Sequence, residues 1–197
     1  RWGISAGTYS AKISQAVADT DGLGILYQGA PIQAVFFSSA PGQTADAVAV
    51  WGSQVDYLKS VSSPERDEVP NYRSQVVLTA EEVRSRVLAA YPGADLSGDP
   101  SGWFGTPASS GGAVTSIPVG GVTLTGSQVR TLFSLRSAAF TVAWDGTSFT
   151  FSVTGYGHGV GMSQYGANAM AKEGSSFRDI LTWYYTGAQV DDLWAES

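Results

Sequence analysis

The sequence predicts an α+β fold, a strand-rich single domain over residues 1–197 with a few short helices. Two observations predict it. Composition is the first: 24 glycines, many Ser and Thr, six tryptophans and only 14% charged residues favour sheets and turns over a helical bundle. The second is period-2 apolar alternation in short runs, set against helix signals that are brief and punctuated.

Taken in order, Leu23–Gln28 and Ile32–Ser38 read as strands around a tight reversal at Gly29-Ala30-Pro31. The second strand runs into a small-residue loop, Ser38–Thr44. Val55–Val61 alternates as a short strand, with Tyr57 and Lys59 on one face. Glu65–Asn71 is a charged, proline-punctuated loop. Thr79 is a helix N-cap with Glu82 placed for a capping box, and that helix runs to Tyr91, where Pro92-Gly93 stops it. Residues 93–118, rich in Gly, Pro and Ser, read as an extended loop or weak strands. Thr125 or Ser127 caps a short helix through Leu132. Phe140–Trp144 and Ser148–Val153 form a hairpin around Asp145-Gly146. Ala167–Glu173 is a short helix ended by Gly174, and Ser175 or Ser176 caps another, Phe177–Tyr185, ended by Gly187.

Charge excludes some partners. Eleven basic residues stand against seventeen acidic ones, for a formal charge of −6, and no Lys/Arg cluster forms a phosphate-tracking stripe. Nucleic acid and anionic membrane surfaces are therefore not expected partners. No apolar run reaches the length of about 18 residues that spans a bilayer, so no transmembrane segment is expected in this chain. There is no cysteine and one histidine, so a metal site would need carboxylates from elsewhere, and no metal or other cofactor is expected.

The run Gly155–Ala167 holds that histidine, His158, among closely spaced glycines and beside Ser163, Gln164 and Tyr165. Glycine lets main-chain N–H groups approach a ligand, and the polar and aromatic side chains add hydrogen bonds and stacking surface. A phosphate cradle would need a terminal Lys-Ser/Thr, and a nucleophile elbow a Gly-x-Ser-x-Gly turn; neither is present. Three roles stay open for His158: general acid or base, metal ligand, or a structural residue bonding the loop backbone. Lys59 is one of only three lysines; it binds a substrate carboxylate or covers apolar surface with its stem. In Trp183-Tyr184-Tyr185, a helix cannot aim all three rings one way; Trp183 is expected in the core and another ring is left for a sugar-stacking platform. The carboxylates Asp46, Asp56, Glu65, Asp67 and Glu68 all lie in polar, loop-like surroundings, and none announces itself as a catalytic acid.

Gly157–Ala167, with Met170-Ala171, Gly174, Ile180-Leu181 and Tyr184–Gly187, resembles the C-terminal signature of the SpoIID/LytB family of lytic transglycosylases and amidase enhancers. Further stretches agree in order: Ala16–Thr20 with Gly22 and Ile25–Tyr27; Phe37–Ser39 with Gly42 and Thr44; Val50–Gly52; Tyr57–Val61; and Gly126, Arg130, Leu135–Ser137 and Phe140. The match spans about residues 15–190, and residues 93–118 have no counterpart in it.

The resemblance implies cleavage of peptidoglycan glycan strands with 1,6-anhydromuramyl products, in an extracytoplasmic setting, the cell envelope or the medium. One glutamate would act first as acid and then as base. In the family that glutamate precedes the first matched segment, so it is expected upstream of Arg1, on a longer parent chain, with this piece inactive alone. Carried over by position, Tyr57, Lys59 and His158 are the expected catalytic residues. Ser38, Ser39, Gly159, Ser163, Gln164, Tyr165 and Tyr184 are the expected substrate contacts. The alternative is a non-catalytic, peptidoglycan-binding amidase enhancer, with a cell-wall amidase as partner; a structural or adhesion domain is a third reading.

Overall fold

The computed structural model describes residues 6–193; the outermost ends of the expected domain, 1–5 and 194–197, lie outside the described residues. In chain order the elements are α1 (Ala6–Asp19), β1 (Leu23–Tyr27), β2 (Ala30–Pro31), β3 (Phe36–Phe37), α2 (Ala47–Trp51), β4 (Arg73–Thr79) and α3 (Ala80–Ala90). There follow β5 (Ala108–Ser110), β6 (Ala113–Val119), β7 (Val122–Thr125), α4 (Gly126–Phe133), β8 (Phe140–Trp144) and β9 (Ser148–Thr154). The last are β10 (Met162–Ser163), α5 (Gln164–Lys172), α6 (Phe177–Tyr184) and β11 (Gln189–Asp192). This is an α+β fold. Among the described residues no helix is long and apolar enough to cross a membrane.

Local chemistry explains the helix starts. Thr79, Thr125 and Ser176 each accept the N3 backbone N–H, while Glu82, Gln128 and Asp179 reach back to the cap residue, giving three full capping boxes. Asp145 Oδ1 accepts the N–H groups of Thr147 and Ser148, which closes the β8–β9 turn.

Two apolar clusters result. The larger gathers the inward rows of the β4-β9-β8 sheet, helices α3 and α4, and the β5-β6-β7 sheet, around Phe133, Phe149 and Phe151. The smaller joins Ala45, Ala47 and Leu58 from the first third to Val160, Tyr185 and Ala188 from the last. Residues 155–161 pass directly from one to the other.

Four expectations need correction. Ile32–Ser38 is not one strand: Pro31 offers no N–H, Val35 N–H turns back onto the Gln33 carbonyl, and Phe36–Phe37 then pairs in parallel with β10 in another sheet. The preceding reversal sits at Gln28-Gly29, both at positive φ, one residue earlier than expected. Val55–Val61 is not a strand, because Thr44 Oγ1 takes the Val61 N–H at 2.9 Å in place of a ladder carbonyl. Helix α5 begins three residues before Ala167, since Ser163 caps it through Gly166 N–H. Helices α1 and α2 are additional elements, and residues 93–118 include β5 and most of β6.

Phe151 is fully buried and packs against Phe104, Phe133 and Phe140. Phe151→Ala is expected to cost about 3–5 kcal/mol in urea unfolding through lost transfer energy and a residual cavity. A cost below 1 kcal/mol, on the order of a surface change, would mean that this cluster is not the main core.

Candidate functional site

The backbone of the Gly/His loop is bonded to two earlier parts of the chain, around Ser39–Ala45 and at Arg136. Tyr156 and Ser39 exchange both backbone hydrogen bonds, at 2.9 and 3.1 Å. Gly157 N–H donates to Arg136, and Ala45 N–H donates to the Gly159 carbonyl at 2.7 Å. Gly161 has φ 78°, and any Cβ there would run into the Val35 carbonyl, so only glycine serves.

His158 sits half-buried at the centre of this loop. Its Nδ1 accepts the Val160 N–H at 3.2 Å, and its Nε2 lies 3.0 Å from the Phe36 carbonyl. A carbonyl can only accept, so Nε2 carries the proton and the ring is neutral. Burial pushes its pKa below the ordinary 6.5, the Phe36 hydrogen bond opposes this, and the positive charge of Arg130 adds to the lowering. Both ring nitrogens are thus engaged by the chain's own backbone.

Around the imidazole the surface is aromatic. Phe37 and Trp51 have ring centroids 5.6 and 5.7 Å from it. Phe36, Trp51 and Tyr156 are 57%, 44% and 46% exposed, unusual for large rings, and the Arg136 guanidinium lies over Tyr156 at 4.3 Å. The sequence reading missed these three rings. The available signal was adjacency: each lies inside or next to a segment that carries the resemblance.

The other expected residues divide. Tyr57 is half-buried, packs on Tyr27 at 5.4 Å and accepts the Gln33 N–H. Lys59 is half-buried, without an ion pair among the described residues, and no described contact joins either of them to His158. Ser38 gives its carbonyl to Tyr165 N–H at 3.0 Å, and Ser39 is buried. Gln164 is exposed on the first turn of α5 and Tyr165 is half-buried beside it. Tyr184 is fully buried; its Oη meets Ser63 Oγ at 2.6 Å, and burial pushes its pKa up to about 12. Trp183, expected in the core, is instead 45% exposed, because α6 turns Ile180 and Tyr184, four apart, inward. Among the described residues no group of three His, Cys, Asp or Glu side chains could hold a metal ion.

Glu65 departs most from expectation: it is 0% exposed rather than in polar loop surroundings. Its Oε1 accepts the Ala40 N–H at 2.6 Å and the Ser163 hydroxyl, and that same hydroxyl oxygen accepts Gly166 N–H at the start of α5. Gly166 lies so close that a Cβ would strike Tyr184 Oη and Ser63 Oγ and come within 2.7 Å of Glu65 Oε2. One carboxyl therefore joins the segment after Ser39 to the end of the Gly/His motif.

Glu65→Ala would leave the Ala40 N–H buried without an acceptor and the Ser163 hydroxyl with only the Ser38 carbonyl at 3.3 Å, with an expected loss of about 1–3 kcal/mol in urea unfolding; Glu65→Gln, which keeps an acceptor, should lose less. Equal stability of Glu65→Ala and wild type would remove the carboxyl from this role. Because the folded state disfavours protonated His158, the unfolded chain binds more protons between the ordinary value of 6.5 and the lowered folded one. Stability therefore falls as pH drops through that interval. His158 is the sole histidine, so its ring proton can be followed by NMR; a midpoint below 6.5 is expected, and one at or above it would indicate a solvated imidazole.

No family model matches the chain. It is 41% identical over 192 residues to Stage II sporulation protein D of Bacillus subtilis, covering 98% of this chain and 54% of that protein. It is 37% identical over 191 residues to Stage II sporulation protein D of Bacillus amyloliquefaciens, covering 97% and 54%. The Amidase enhancer of Bacillus subtilis is 26% identical over 232 residues, covering 93% of this chain and 33% of that protein. The chain thus spans about half the length of the two sporulation proteins it matches. Near-full coverage of this chain by both kinds of relative accords with the glycine/histidine signature and the segments that precede it: the chain belongs to the SpoIID/LytB family.

Proposed function

We propose that this chain is the glycan-recognising part of an extracytoplasmic lytic transglycosylase acting on peptidoglycan strands. The observation that carries this reading is the set of exposed rings that the fixed Gly/His loop carries or touches: Tyr156 within it, Trp51 against His158, and Phe36, whose carbonyl meets His158 Nε2. Aromatic faces pair with the apolar C–H face of a pyranose, while Arg136 and the open loop edge supply donors for its substituents. A loop whose backbone is tied at Ser39, Ala45 and Arg136 holds such a surface without reorganisation on binding.

In this reading the acid is a glutamate on a part of the parent protein preceding Arg1. It protonates the glycosidic oxygen as the C1–O4 bond breaks. The resulting carboxylate then takes the proton from the muramyl C6 hydroxyl, whose oxygen closes on C1 to form the anhydro ring. The proton lost is recovered and no water is consumed. Tyr57 and Lys59 line the cleft and stabilise charge developing at the bond, Ser38, Gly159, Gln164 and Tyr165 orient the sugar, and the buried Ser39 holds the Tyr156 backbone in place. Neutral, backbone-bonded His158 acts by positioning Phe36 and the loop, and the buried Ser163 and Tyr184 by holding α5 and α6 in place. The relative named Amidase enhancer favours a second reading, in which the same surface binds glycan beside an amidase and cleaves nothing.

Residues 1–197 and a form extended upstream are to be incubated with purified glycan strands and the products weighed. Anhydromuramyl ends are expected from the extended form only, with Lys59→Ala in that form slowing turnover by about 10²-fold. Retained binding with no products from either form would replace cleavage with the enhancer reading.

A further inference from the structure

Three hollows adjoin along one side of the molecule, and none of them is lined by a residue of the Gly155–Ala167 run. The first, about 300 Å³, lies between Ser62–Pro64 and the side chains of Met170, Glu173 and Trp183. The second, about 570 Å³, shares Gly42 and Arg66 with the first and passes Asp67, Tyr72 and Arg73 to the outer face of β8 and β9. The third, about 500 Å³, shares Arg73, Ser152 and Thr154 with the second and continues along β4 to Gln75. The shared residues make them one open groove.

Its chemistry is specific. At one end the Trp183 indole is 45% exposed, yet its Nε1–H donates to the Ser62 carbonyl at 2.8 Å, which fixes the plane of the ring. Arg66 is likewise held, donating through one nitrogen to the carbonyls of Ser63 and Glu65 at 3.2 and 2.8 Å. At the other end the sheet register sets Gln75, Ser152 and Thr141 in one rung on the outward face. Four charged side chains line the groove, Arg66 and Arg73 against Asp67 and Glu173, and Arg73 pairs with Asp67 at 3.0 Å. This balance gives a polyanion no net attraction, and apart from Trp183, Met170, Pro41 and Pro64 the apolar lining residues Tyr72, Ala139, Phe140 and Val153 are buried, which leaves an apolar peptide little to cover. A polyhydroxylated chain with amide groups finds a flat ring at one end and hydroxyl and amide partners at the other.

We propose that this groove is a second glycan-binding site, in which Trp183 stacks on one pyranose of an N-acetylated, β-linked strand whose continuation runs past Arg66 and along the rung at Gln75. The site rests on the glycan reading above and deepens it. It would hold the strand on residues other than those of the Gly/His loop, so that one chain engages the polymer at two places.

The test is equilibrium binding of chitohexaose and of peptide-stripped glycan strands to wild type, Trp183→Ala, Trp183→Phe and Gln75→Ala, with circular dichroism confirming the fold of each. Trp183→Ala is expected to weaken binding of stripped strands by about 5- to 10-fold, in line with the loss of one stacked ring. Trp183→Phe should recover part of that loss, and Gln75→Ala should weaken binding by a smaller factor. Wild-type binding that is unchanged in both Trp183→Ala and Gln75→Ala, but lost in Trp51→Ala, would overturn this site and leave the Gly/His surface standing. No binding of either probe by the wild type would overturn both.

Discussion

Burying a carboxyl is costly unless donors meet it, and the architecture around the Gly/His loop is organised by one such group. Glu65 takes the Ala40 N–H and the Ser163 hydroxyl on a single oxygen. Those two donors belong to chain segments that are far apart in sequence and run side by side. Ser163 in turn caps α5 through Gly166, and the Ser38 carbonyl receives Tyr165 N–H. The parallel pairing of Phe36–Phe37 with Met162–Ser163 is only two residues long, too short to define its own register, so the carboxyl and its donors are what set it. Tyr185 adds a second pin, its hydroxyl donating to the Val35 carbonyl at 2.9 Å.

From that join the surface follows. With Val35 to Ala40 fixed, the Phe36 carbonyl is where His158 needs an acceptor, and Ser39 is where Tyr156 needs both a donor and an acceptor. The imidazole then serves as a spacer: it holds two main-chain groups apart at hydrogen-bonding distance, with Phe37 and Trp51 against its ring. Exposed aromatic rings on a mobile loop would collapse onto one another. Here the loop backbone is bonded at Gly155, Tyr156, Gly157 and Gly159, which holds the loop in place.

What was legible in the sequence was local. The capping residues Thr79, Thr125 and Ser176 each have their partner three positions on, and Asp145-Gly146 needs only its own neighbours to turn. The motif itself was legible because glycine at a position such as Gly161 answers to a backbone constraint that no other residue meets. The rest was set by distant partners. The charge and flanking prolines of Glu65–Asn71 mark a loop, and nothing beside Glu65 in sequence tells that its donors lie elsewhere. Thr44 redirects Val61 out of a ladder, an effect invisible in the alternation of Val55–Val61. Trp183 and Tyr184 differ in exposure because of a rotation of α6 that only packing fixes. Helix α1 shows Tyr9, Ile13 and Val17 to the outside, so its apolar spacing reports no burial in this chain.

The Glu65–Ser163 bond closes a loop of 98 residues, and the Ser38–Ser163 contact one of 125. The large core between them, from β4 to β9, contains the β6–β7 and β8–β9 hairpins and closes on the pairing of β4 with β9, so all of its strands are present before β10 is made. The surface around the Gly/His loop is not complete at that point. Its two halves flank that core in sequence, so loop-closure entropy defers their meeting until the last helices are available. Newly made chains of this kind would pass through a stage with a folded centre and an unclosed Gly/His surface, a built-in delay between the making of the core and the joining of the segments that flank it.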